Sequence, residues 1–133
     1  MIFNNKKKEI WEPTKFIFKK EVLVPSPQIS IKSKRMASYV SKFYSIFIPK
    51  YVKGKLLDLG CGYAPLFELY SKYATEITRA DWENSIHNQS NVDVFCDLNE
   101  VLIFGSNSFD SIILSDVINH LSEPEIALNE IYR

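Results

Sequence analysis

Four aspartates, Asp58, Asp81, Asp97 and Asp116, recur at the ends of short apolar runs. One of those runs feeds a two-glycine turn, "KLLDLGCGYAPL" at residues 55–66. Carboxylates accept hydrogen bonds and hold cations, and glycine lets a ligand touch bare backbone at positive φ. In an open α/β sheet, ligands sit beyond the carboxyl ends of the strands, where the strand order reverses. If each run is a strand, the four acids converge on one rim around Gly60 and Gly62. Such a rim repels phosphate, and no Lys or Arg lies between residues 56 and 71 to offset it. The GK[ST] of a phosphate-binding loop is absent, and the GxGxxG fingerprint fails at its last position, which is Pro65. A nucleoside carrying a cationic group suits the rim better. Asp81 is placed to accept from both ribose hydroxyls, and Asp97 from the exocyclic amine of an adenine. Any one of these acids alone reads equally well as a helix cap or a solvated loop end. Their joint placement carries the ligand reading.

The elements that must hold these residues follow from local pattern. Residues 55–59 read as a first strand, and Pro65 suits the first turn of a helix carrying Leu66, Leu69, Tyr70 and Tyr73. "TEITRAD" at 75–81 reads as a second strand and "VDVFCD" at 92–97 as a third. After the "GSNS" turn, "FDSIILSD" at 109–116 reads as a fourth strand buried on both faces. Ser122 and Glu125 form an S-x-x-E capping box, so a helix starts near Glu123 and runs to Arg133. Upstream, Met36, Val40, Phe43, Tyr44 and Phe47 recur at helical spacing, giving an amphipathic helix over 30–48 that Pro49 ends. Residues 1–25 read as an extended arm or a short strand. The division is therefore a basic arm at 1–29 and an α/β domain at 30–133.

With 133 residues, the chain has room for one modest core. Its zero net charge conceals an asymmetry. Residues 1–55 hold 13 Lys and Arg against Glu9, Glu12 and Glu21, a net of +10; residues 56–133 hold Lys72, Arg79 and Arg133 against 13 acids, a net of −10. The basic half is either a solvated face or a surface for an anionic partner such as RNA, lipid headgroups or an acidic glycan. No apolar run approaches the roughly 20 residues of a membrane helix, and the N-terminus lacks the apolar core of a secretory signal. Cys61 and Cys96 form no CxxC and fit a reduced, cytoplasmic compartment. His87 and His120 have no ligand spacing around them, so no metal is expected.

The motifs "LLDLGCG", "ADWENS", "CDLN" and "NSFDSIILSDVINHLSEPEIALNEIYR" resemble, in order, those of the class I S-adenosylmethionine-dependent methyltransferases of the small type 11 kind. The resemblance covers residues 54–133. It implies a Rossmann-like, doubly wound α/β sheet of seven strands, of which about four are present here behind an N-terminal helix. It implies S-adenosyl-L-methionine as cofactor, with Asp58, Gly60, Cys61 and Gly62 wrapping its methionine end. Asp81 would bind the ribose and Trp82 pack against the adenine. Asp97 and the backbone at Leu98 would face the adenine edge, and Ser115 would line the methyl-bearing side. The family's usual third glycine is Ala64 here, for which modest loss at most is expected.

The Lys-Pro-Gly turn that follows "EIYR" in relatives is absent, so the chain reads as a piece of a longer protein, truncated at its C-terminus. The leading function is methyl transfer to an unidentified acceptor: a small molecule, a lipid or a glycan. Behind it stand a non-catalytic S-adenosylmethionine-binding fragment and an RNA methyltransferase, the latter disfavoured because no base-stacking aromatics are identifiable. An NAD-dependent enzyme is the outside alternative. A histidine early in a helix is more often structural, so His120 stays out of the catalytic assignment, which is left open.

Overall fold

The computed structural model describes residues 15–85 and 89–133; residues 1–14 of the expected arm and His87 lie outside the described residues. The described chain begins with an antiparallel hairpin, β1 (Phe16–Lys19) and β2 (Val22–Pro25), with Phe16 opposite Pro25. Lys20 and Glu21 turn it at φ +48° and +64°, left-handed values that match the twist of a two-residue hairpin loop. Phe16 and Leu23 are buried in the same apolar cluster as Ile48, Leu56 and Ile77.

The first helix, α1 (Ile31–Tyr51), is capped by Ser30, whose side chain accepts from the Ser33 N–H at 3.4 Å. Pro49 does not end it, contrary to the sequence expectation. Proline removes one N–H and crowds the preceding turn, but the residues after it keep their donors. The Val52 N–H still reaches the Ile48 carbonyl at 2.9 Å.

Four strands follow: β3 (Lys55–Leu59), β4 (Glu76–Asp81), β5 (Val94–Phe95) and β6 (Ser111–Leu114). All pair in parallel, in the order β5-β4-β3-β6. The chain therefore winds outward from β3 to one side and then crosses to the other. The order reverses between β3 and β6, which fixes the place where a crevice opens. Alternation along β3 puts Leu56 in the cluster with α1 and the hairpin, and Leu57 and Leu59 in a second cluster with Ala80, Leu98 and Ala127. Both faces of this Rossmann-like, doubly wound α/β sheet are covered. No helix among the described residues is long and apolar enough to cross a membrane.

Several elements are shorter than their sequence pattern. The helix after Pro65 is one turn, α2 (Phe67–Tyr70), because the chain tightens into i→i+3 bonds, Lys72 N–H to Leu69 O and Tyr73 N–H to Tyr70 O. The third strand keeps two residues of the expected 92–97, and before it the Arg79 N–H goes to the Asp93 carboxylate rather than to a ladder carbonyl. The fourth keeps four of 109–116, and only Ile113 in it is buried. Ile113 packs in one core cluster and Ile112 and Leu114 against the other, so both faces of β6 are covered as expected, though at the edge of the described sheet its burial is only partial. The final helix, α3 (Pro124–Tyr132), starts where expected, but the capping box does not form. Ser122 turns instead to the neighbouring loop: its N–H and hydroxyl both donate to Asn99 Oδ1, at 2.8 and 3.0 Å, and the Glu123 N–H joins them at 3.0 Å. Asn99 thus anchors the segment that leads into α3.

Candidate functional site

A cleft of about 600 Å³ opens at the carboxyl ends of the strands, beside the point where their order reverses. That is ample for a nucleoside-sized ligand. Asp58, Gly60, Cys61, Gly62, Asp81, Trp82, Asp97, Leu98 and Ser115 all line it. Asp116 and His120 do as well.

The turn after β3 is shaped by backbone demands that only small residues meet. Gly60 sits at φ +71°, and a Cβ there would lie 2.5 Å from Val117 Cγ2. Glycine thus lets the loop after β6 close onto the loop after β3. The Gly60 and Cys61 N–H groups both donate to the Ala80 carbonyl, at 2.8 and 3.0 Å, tying the turn to the end of β4. Gly62 adopts φ +51°. Ala64, the residue in place of a third glycine, is fully buried and also left-handed, at φ +51°. Holding alanine there costs about 1 kcal/mol.

Asp81, at the end of β4, braces this turn. Its Oδ2 accepts from the Gly62 N–H at 3.0 Å and its Oδ1 from the Trp82 N–H at 2.8 Å. An ionised carboxylate offers about four lone-pair sites, so each oxygen keeps room for one further donor, such as a hydroxyl. Trp82, about half exposed, stands at the cleft mouth. Asp97 is held in an Asx turn: its Oδ1 accepts from the Asn99 N–H and side-chain amide, both at 2.9 Å, leaving Oδ2 as an acceptor. Asn99 therefore positions Asp97 and anchors the entry to α3 together.

Asp58 is buried inside β3 and receives the Tyr70 hydroxyl at 2.7 Å. Burial pushes its pKa up from 3.8 to about 6, an effect that the Tyr70 hydrogen bond and the Arg79 charge oppose and the Asp81 charge reinforces. The unfolded chain releases this proton near pH 4 and the folded chain near pH 6. Between those values the folded state binds more protons, so stability falls as pH rises through that window, by on the order of 3 kcal/mol. Asp58→Asn, which keeps an acceptor for Tyr70 and has nothing to ionise, is expected to flatten the slope. Chemical denaturation of both proteins across that window checks this; parallel curves would contradict it.

The cleft has a wall that strand-end reasoning did not reach. Lys15, from the start of the described hairpin, donates to Asp116 at 3.1 Å and neutralises it. Of the four acids, Asp58, Asp81 and Asp97 have no cation partner among the described residues of the cleft lining. Tyr44 of α1 meets Ser115 hydroxyl to hydroxyl at 2.5 Å, so the N-terminal helix buttresses the strand-four side. Burial raises the Tyr44 pKa. Neither partnership is visible locally, because each spans a sequence separation of 101 or 71 residues.

Nucleophilic thiol chemistry finds no support. Burial and the neighbouring carboxylates push the Cys61 thiol far up, and burial pushes Cys96 to about 11. Both cysteines are free. Among the described residues no three His, Cys, Asp or Glu side chains cluster in a way that could hold a metal. His120 ends the short 3-10 turn Ile118–His120, with its Nε2 at 3.4 Å from the Asn119 side-chain amide.

A family model described as "Methyltransferase domain" matches residues 57–133, the span from β3 through α3. No curated protein and no solved structure matches the chain significantly.

Proposed function

The chain belongs to this methyltransferase-domain family, and from that premise we propose that its cleft binds S-adenosyl-L-methionine and serves methyl transfer to an acceptor that is a small molecule, a lipid or a glycan. One observation carries the reading. Among the described residues, a nucleoside-sized cleft at the strand-order reversal is lined by three carboxylates, and the one lysine there is already committed to a fourth. Such a lining repels phosphates and attracts a positively charged adenosine derivative.

Each side chain has a task consistent with its surroundings. Asp81 takes the ribose hydroxyls on the lone pairs that Gly62 and Trp82 leave open. Trp82 supplies a ring face for the base, and Asp97 Oδ2 with the Leu98 backbone reads its polar edge. Gly60 and Gly62 let the backbone approach the amino-acid end, and Asp58 contributes negative charge beneath it. Ser115, held by Tyr44, lines the side on which an acceptor would approach. The bound cofactor supplies an activated methyl group on a sulfonium, so the protein need not provide a nucleophile of its own. Its contribution is to orient and to exclude water, and positioning of this kind is worth roughly 7–11 kcal/mol. Among the described residues His120 is the one imidazole in the cleft lining and the candidate to take a proton from an acceptor that must lose one.

Calorimetric titration tests this directly. S-adenosylmethionine is expected to bind and ATP, which has the same adenosine but a polyphosphate tail, to bind far more weakly. Equal affinity for the two, or preference for ATP, would remove the electrostatic basis of the proposal. Because Asp58 ionises only near pH 6, affinity for the cation is also expected to rise from pH 5 to pH 7.

A further inference from the structure

The inward face of α1 is accounted for: Ala37, Ser41 and Ile48 are buried, and Val40 and Tyr44 pack partly against the core. The outward face is not. Met36, Tyr39, Phe43 and Ile46 are each more than half exposed. Their spacing of three, four and three residues aligns them along one side of the helix, roughly opposite Ala37, Ser41 and Ile48. Phe43, Phe47 and Tyr51 extend this surface as a run of adjoining rings, with centroids 4.4 and 6.0 Å apart.

The charges around the stripe are of one sign. The helix carries Lys32, Lys34, Arg35, Lys42 and Lys50 and no acidic residue. At 100° per residue, Lys32 and Lys50 fall on the line of the stripe at its two ends, and Arg35 and Lys42 run along one flank. Lysines so placed can lay their stems along an apolar surface while the ammonium groups reach outward.

We infer that this face of α1 docks the protein on an anionic phospholipid surface, with Met36, Tyr39, Phe43 and Ile46 entering the headgroup boundary and the flanking cations meeting lipid phosphates. Apolar anchors bordered by cations match the two attractions that such a surface offers. A second copy of the chain fits the same stripe poorly, since apposed helices would bring four cations against four with no acid on either helix between them. A nucleic acid would use the cations and the rings but has no use for Met36 and Ile46. The same helix presents Tyr44 to Ser115 from its inward side. A docked chain therefore holds its cleft within about one helix diameter, on the order of 10 Å, of the headgroups. The inference is independent of what the cleft binds.

Flotation of the full chain with vesicles tests it. Vesicles of phosphatidylcholine with phosphatidylglycerol are expected to carry the protein, phosphatidylcholine alone to carry much less, and added salt to release it. The double variant Phe43→Ser/Ile46→Ser changes only exposed positions and so keeps the fold, which circular dichroism verifies; it is expected to lose binding on the order of tenfold or more. Lys42→Glu with Lys50→Glu is expected to lose on the order of thirtyfold or more. Failure to float with the anionic vesicles would overturn the inference, as would undiminished flotation of the folded Phe43→Ser/Ile46→Ser variant. Two further results would also overturn it: a dimer dissolved by that variant, or retention of single-stranded RNA, in either case without vesicle binding.

Discussion

Asp81→Ala is expected to weaken S-adenosylmethionine binding on the order of a hundredfold or more while leaving a folded protein. In the proposed role the carboxylate accepts from two ribose hydroxyls, and hydrogen bonds to a charged group contribute about 1.5–3 kcal/mol each. The substitution also releases the Gly62 and Trp82 N–H groups that the same carboxylate holds. Those two losses loosen the turn and are expected to cost the free protein about 2 kcal/mol. Asparagine is a poor substitute, because it offers one acceptor oxygen and turns an amide donor toward a backbone donor. Asp81→Asn should therefore lose most of the affinity as well. Calorimetry of both variants, with thermal unfolding in parallel, checks the claim. Wild-type affinity in either variant would show that the ribose does not rest on this residue.

The largest expected effect on stability lies away from the cleft. Arg79, in the middle of β4, is only 5 % exposed, and its guanidinium pairs with Asp93 through Nε at 3.1 Å. The Arg79 backbone engages Asp93 as well, its N–H donating to Asp93 Oδ2 at 2.9 Å and its carbonyl accepting from the Asp93 N–H at 2.8 Å. The guanidinium also sits 5.2 Å from the centroid of the Phe67 ring. Removing one partner of a buried pair strands the other charge, at a cost of about 3–5 kcal/mol. Asp93→Ala is therefore expected to destabilise the domain by that amount, a large share of what a domain this size possesses. Arg79→Met, which keeps the volume and removes the charge, combined with Asp93→Ala should be less harmful than Asp93→Ala alone. Urea denaturation of the single and double variants measures the difference. A double variant less stable than Asp93→Ala would contradict the account.

What could be read from the chain, and what could not, divides along physical lines. The cleft residues were legible because the rule that creates the site is local. An apolar run ending in an acid is a strand end, and in a parallel sheet all such ends face one way. Asp81 and Asp97 needed only that rule, and Asp58, inside β3, was marked by the two-glycine turn that follows it. Lys15 and Tyr44 had no such signal: their partners, Asp116 and Ser115, are set by how the hairpin and α1 pack on the sheet. Element lengths failed for a related reason. Alternation over 92–97 is genuine, yet the Asp93 carboxylate takes the Arg79 N–H in place of a ladder carbonyl, and the strand shrinks to Val94–Phe95. The Ser122–Glu125 pattern is a true capping signature, but Asn99 Oδ1 takes both the Ser122 N–H and the Ser122 hydroxyl that the box would have used. Pro49 misled because a proline in a last turn breaks one hydrogen bond, not the helix.

The central claim is that strand-end carboxylates around a two-glycine bend seat a cationic adenosine. Amide chemical shifts of the ¹⁵N-labelled chain, followed while S-adenosylmethionine is added, test it most directly, since they report where the ligand sits as well as whether it binds. The account predicts saturable shifts at Gly60, Gly62, Trp82, Leu98 and Ser115, with Met36, Tyr39 and Phe43 on the outer face of α1 undisturbed. Saturation with those five amides unmoved, or no saturable shift anywhere, would contradict it.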